Sequence, residues 1–112
     1  LRAHPTSIEL RHLHVLVLMA LGRYEKARTA VQRLIYLDPT LAVAHFLNGS
    51  VLRNCGMADA ARRGFERTCA LCSSRPAGEP VPLFEGQTAA QLTELARRQI
   101  EQLSQPSDGR SP

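Results

Sequence analysis

Tryptophan is absent from this 112-residue chain, and three phenylalanines and two tyrosines are its only large aromatic side chains. That scarcity argues against a basic stripe interleaved with stacking aromatics, the usual equipment for gripping single-stranded nucleic acid. No apolar run approaches the roughly 20 residues that cross a bilayer, and neither a basic nor an apolar leader segment opens the chain at Leu1. The pattern begins in mid-stride, as a piece of a longer protein would. Cysteine is sparse and odd in number, with Cys55, Cys69 and Cys72. Without a secretory signal, three cysteines predict reduced thiols and a cytoplasmic setting.

The residues that are present are mostly Leu, Ala and Val, with charges interspersed among them, the usage of a helical protein with one modest core. The formal charge of +4 is spread along the whole chain, so it marks no nucleic-acid surface.

An internal repeat organises the sequence. An offset of 34 residues pairs Leu13 with Leu47, Val17 with Val51, Leu18 with Leu52, Gly22 with Gly56 and Ala27 with Ala61. It also pairs Arg28 with Arg62, Arg33 with Arg67 and Leu37 with Leu71. That period is the length of a tetratricopeptide unit, a helix-turn-helix whose neighbours bury one another's apolar faces. Gly22 and Gly56 are expected to end the first helix of each unit in the left-handed conformation. Ala27 and Ala61 are expected where the paired helices come close. Leu18 with Leu52, Val31 with Phe65 and Leu37 with Leu71 should supply the layers between helices.

Asp38-Pro39-Thr40 separates the units, Pro39 stopping one helix and suiting the first turn of the next. The second unit has Ser73 in place of that proline. From Ser74 to Gln87 the prolines and glycines predict a loop. Thr88-Ala89-Ala90-Gln91 then reads as a capping box, followed by Leu92, Leu95, Ala96, Ile100 and Leu103 at helical spacing. The expected organisation is all-α. Residues 1–6 end a preceding segment, with His4-Pro5-Thr6 resembling an inter-repeat turn. Residues 7–39 and 40–73 form two repeats, 74–87 a loop, 88–104 a capping helix and 105–112 a disordered tail.

Within this pattern, Tyr36-Leu37-Asp38-Pro39, Ala44-His45-Phe46, Gly49, Leu52-Arg53, Gly56, Ala61-Arg62-Arg63 and Phe65 form a recognisable group. Together with Glu79-Pro80-Val81-Pro82, Glu85-Gly86, Thr88-Ala89, Leu92, Glu94-Leu95-Ala96 and Gln99, they resemble the C-terminal repeat extension of bacterial chemotaxis protein-glutamate methyltransferases. The resemblance covers residues 8 to 103. It implies a regulatory or docking module, non-catalytic in itself, whose partner is a chemoreceptor, the enzyme's own catalytic domain or another signalling protein. S-adenosylmethionine would belong to the parent's catalytic domain, none of which is present. The chain has no Gly-rich strand-to-helix loop, so no cofactor or catalytic residue is assigned to it. Cys55 and Met57 in the helix-to-helix turn, Thr68-Cys69 and the missing second proline depart from the family pattern. The alternative is a freestanding scaffold or adaptor that self-associates through its first repeat.

Cys69-Ala70-Leu71-Cys72 has the spacing of half a metal site, but no second pair completes four ligands, and packing at the end of a helix is expected instead. His12 and His14 point about 200° apart on a helix and cannot share an ion. The expected partner surface is the inner face of the stack, lined by the first helix of each unit. On it fall Glu9, His12, Leu16, Met19 and Ala20, followed by Val43, Phe46, Ser50, Arg53 and Asn54. Leu16, Met19 and Phe46 supply apolar contacts, and Arg53 and Asn54 supply polar anchors. Repeats of this family that clamp a peptide carboxylate use Lys and Asn where this chain has His12, Leu16, Phe46 and Ser50, so such a clamp is not expected.

Overall fold

The two glycines placed 34 residues apart close two turns of the same geometry. In the computed structural model, which describes residues 7–83 and 86–104, Gly22 has φ 75° and Gly56 φ 80°. At the first turn the Gly22 amide donates to Met19 O at 3.0 Å and the Arg23 amide to Leu18 O at 2.8 Å. At the second, Gly56 donates to Arg53 O at 3.1 Å and Met57 to Leu52 O at 2.9 Å. These paired bonds satisfy carbonyls that the end of a helix would otherwise leave open, and the left-handed residue between them reverses the chain.

The turns join α1 (Ser7–Ala20) to α2 (Tyr24–Leu37) and α3 (Ala42–Asn54) to α4 (Ala58–Ser73), and α5 (Ala89–Ser104) follows. Each helix packs chiefly on the next in sequence, α1 on α2, α2 on α3, α3 on α4 and α4 on α5. The fold is all-helical among the described residues, apart from one isolated bridge between Pro80 and Thr88. No helix among them is long and apolar enough to cross a membrane. The segments 1–6 and 105–112, together with Phe84 and Glu85, lie outside the described residues.

Ala27 and Ala61 are fully buried, as are Val31 and Phe65, at matching places in the two pairs. The second pair comes closest at a different point. A Cβ added to Gly64 would lie 3.1 Å from the Gly49 backbone nitrogen, and one added to Gly49 would lie 2.8 Å from the Phe65 ring. Phe65 therefore occupies the space that a side chain at position 49 would need. The first pair holds Val15 and Ala30 at the corresponding positions.

Two sequence expectations are corrected. Pro39 does not enter the first turn of α3; it stays in the connection, where Asp38 Oδ1 accepts bonds from Thr40 N at 3.1 Å and Thr40 Oγ1 at 2.8 Å, delaying the helix to Ala42. Leu37 is no core residue: it is 46 % exposed, and its counterpart Leu71 is half-buried. The final turn of α2 points it outward, and Leu34 and Leu41 fill the space instead. The expected loop after α4 also contributes to the core, Val81 being buried there with Leu34, Cys72, Ala89 and Leu92. Its backbone is tied on both sides of the loop by Val81 N to Gln87 O at 3.0 Å and Ala89 N to Glu79 O at 2.9 Å.

The expected capping box forms. Thr88 N donates to Gln91 Oε1 at 2.8 Å, and Gln91 N donates to Thr88 Oγ1 at 3.3 Å. The helix it starts buries Ala89, Leu92 and Ala96 and joins Ala96 to Leu52, Ala61 and Phe65, covering the end of the second pair.

Candidate partner surfaces

The residues expected to line an inner groove divide into three groups. Glu9, Leu16, Ala20, Arg53 and Asn54 are exposed, and His12, Met19, Phe46 and Ser50 are half-buried. Val43 is 1 % exposed and belongs to the core around Leu41 and Leu92. Its assignment to the groove is therefore corrected: the start of α3 is embedded, with Ala42, Val43 and Ala44 all buried, because it enters between the second helix and the closing segment.

Contacts inside the molecule already employ several of the others. Met19 packs against the clusters around Val15, Val31 and Leu47 and around Leu18, Ala27 and Val51. Phe46 meets Phe65 edge to face, with ring centroids 5.4 Å apart. Arg53, read as a polar anchor for a ligand, donates to Gln99 Oε1 and, at 2.8 Å, to Gln102 Oε1, so α5 holds its guanidinium. Asn54 Nδ2 donates to Ser50 O at 2.9 Å along the same helix. The polar end of the groove is thus largely satisfied from within, and the open stretch is that of His12 and Leu16 on α1.

Burial holds the His12 imidazole below its ordinary pKa. It does the same to His45, against a raising bond to Pro39 O and with Arg67 adding to the lowering. Both rings are held toward the neutral form. Burial pushes the Cys55, Cys69 and Cys72 thiols up, away from the thiolate that metal binding or nucleophilic attack requires. Among the described residues no group of three or more His, Cys, Asp or Glu side chains could hold a metal ion.

A second feature escaped the sequence reading. Between α1 and α2 lies an open hollow of about 480 Å³ with Leu18 and Ala30 among its lining residues. α1 contributes Arg11 and His14; α2 contributes Glu25, Lys26, Thr29 and Arg33. The cations outnumber the single carboxylate, and Glu25 lies 3.7 Å from Arg28. The signal was present as Arg11, His14 and Leu18 at helical spacing, and as Lys26, Ala30 and Arg33 on the facing helix. It reads as an ordinary solvated face until the two helices are brought side by side.

Comparison with protein-family models, curated proteins and solved structures returns no match to this chain.

Proposed function

We propose that this chain is a protein-interaction module of the tetratricopeptide type, non-catalytic in itself, that belongs to a chemotaxis-type receptor methyltransferase and docks or modulates receptor methylation. The observation that carries the repeat reading is the pair of turns at Gly22 and Gly56. They share φ, hydrogen-bond pattern and 34-residue spacing, and each joins two helices across a buried alanine. A chain folded as successive helix pairs, each sheltering the next, offers extended faces to other proteins. The enzyme assignment rests on the resemblance of residues 36–65 and 79–99 to the closing part of those methyltransferases.

The test compares receptor methylation by the parent enzyme with and without Leu1–Pro112. On this reading the truncated form methylates a different set of glutamates or docks more weakly on receptor fragments. Unchanged sites, rates and binding would remove the regulatory role.

A further inference from the structure

The 34-residue offset provides an internal reference for the outer face of α1. Leu13 and Val17 stand where Leu47 and Val51 stand in the second pair. There Leu47 is covered by Val15 and Val31, and Val51 by Leu18 and Ala27, so the first helix pair shelters that side of α3. Nothing within the described residues shelters α1 in the same way: Leu13 is 56 % exposed and Val17 46 %. Leu10 and Leu21 extend the strip in both directions and are also exposed. Four large aliphatic side chains at spacings of three, four and four residues make a seam suited to another helix.

The basic hollow adjoins this seam. Arg11 and His14 alternate with Leu10, Leu13 and Val17 along α1, while Lys26 and Arg33 flank it from α2. Among the described residues the side chains of Arg11, Lys26 and Arg33 make no hydrogen bond or ion pair. The second pair repeats this charge only in part: Arg67 matches Arg33 and Arg63 stands at the place of Thr29. Lys26 is replaced by Ala60, and Arg11 by His45, whose Nε2 is bound to Pro39 O at 2.9 Å.

We propose that the outer face of α1 and the basic hollow beside it form one docking surface for an acidic amphipathic helix of a partner protein. Its apolar residues seat on Leu13 and Val17, and its flanking Asp or Glu side chains reach Arg11, Lys26 and Arg33. A helix is the fitting occupant because the equivalent face of α3 is covered by helices. An acidic helix is favoured over a second copy of the chain. From Ser7 to Leu37 the described residues carry Arg11, Arg23, Lys26, Arg28 and Arg33 against Glu9 and Glu25, so two copies meeting here would bring like charges together. The proposal rests on the interaction-module reading, but it places the partner outside the α1–α3 groove.

The test is fluorescence anisotropy on the full chain. The probe is a labelled helical peptide of about 18 residues with Leu at i, i+4 and i+7 and Glu at the flanking positions. Its control carries Lys in place of each Glu. The acidic probe should bind at least roughly tenfold more tightly than the control and lose affinity as salt is raised. Val17→Asp and Arg33→Glu should each weaken it about tenfold without lowering the melting temperature, since both side chains are exposed. No binding of the acidic probe, equal binding of the two probes, or indifference to Val17→Asp overturns the proposal. If His12→Ala and Leu16→Ala abolish binding while Arg33→Glu does not, the partner lies in the α1–α3 groove. The interaction-module reading then stands and this one fails. A dimer in sedimentation velocity that Val17→Asp dissolves would overturn it in favour of a second copy.

Discussion

Position 49 shows how little room separates two helices here. Gly49 lies under the ring of Phe65, and Gly64 lies against the backbone of Gly49. In a helix, alanine is preferred over glycine by about 1 kcal/mol, so these glycines are kept at a cost in local propensity. Their positions are decided by packing. We expect Gly49→Ala to destabilise the chain by about 1–2 kcal/mol in denaturant unfolding, overpacking against Phe65 outweighing the propensity gain. In a Phe65→Leu background the same substitution should cost nothing or stabilise, a coupling that a double-mutant cycle measures. Gly56 presents the opposite case. A Cβ there would meet nothing within 4 Å, so only its φ of 80° resists replacement. Gly56→Ala should cost about 1 kcal/mol and Gly56→Asn less, because Asn visits the left-handed region more readily.

Among elements, the helix ends decide where each segment starts and stops. α2 ends at Leu37 ahead of Pro39, whereas α4 runs 16 residues to Ser73 and is closed by the Ser73 and Ser74 hydroxyls donating to Ala70 O and Leu71 O. α4 outruns the 14-residue α2 because the proline is missing. α5 depends on its reciprocal Thr88–Gln91 cap, and Thr88→Ala should lower stability by about 0.5–2 kcal/mol, read by thermal or urea melts. The same helix takes up Arg53, which the sequence alone offered as a ligand anchor. Arg53→Glu should therefore disturb the seating of α5 before it disturbs any partner, and hydrogen exchange along 89–104 would report the loosening.

For the whole molecule, sequential packing makes the last element a cover for the one before. Removing residues from Ala89 onward would uncover Ala61, Phe65 and Leu52, and we expect the shortened chain to lose its cooperative melt and bind an apolar dye. Titration sets limits on both sides of neutrality. His12 and His45 have folded pKa values below 6.5, so the unfolded chain binds more protons at acid pH; stability should fall as pH drops below that value. Cys69 and Cys72 are raised above 9.0 in the folded chain, so stability should also decline as pH rises past that value and the unfolded thiols ionise. Melting temperature against pH should show a plateau between these limits, and His45→Gln should soften its acid edge.

The helices, the two glycine turns and the Thr88–Gln91 cap were all legible in the order of residues, because each depends on neighbours about one helical turn away. The 34-residue offset also pointed to Ala27 and Ala61, which are both buried. What the sequence could not decide was which equivalent residues end up sheltered. Leu13 and Leu47, or Val17 and Val51, are matched in type and spacing yet differ in exposure, since α3 has a helix pair on its outer side and α1 has none among the described residues. The embedding of Val43, the capture of Arg53 by α5 and the gathering of Arg11, Lys26 and Arg33 around one hollow follow from the same cause. Burial and charge density arise between elements distant along the chain, and only their tertiary arrangement sets them.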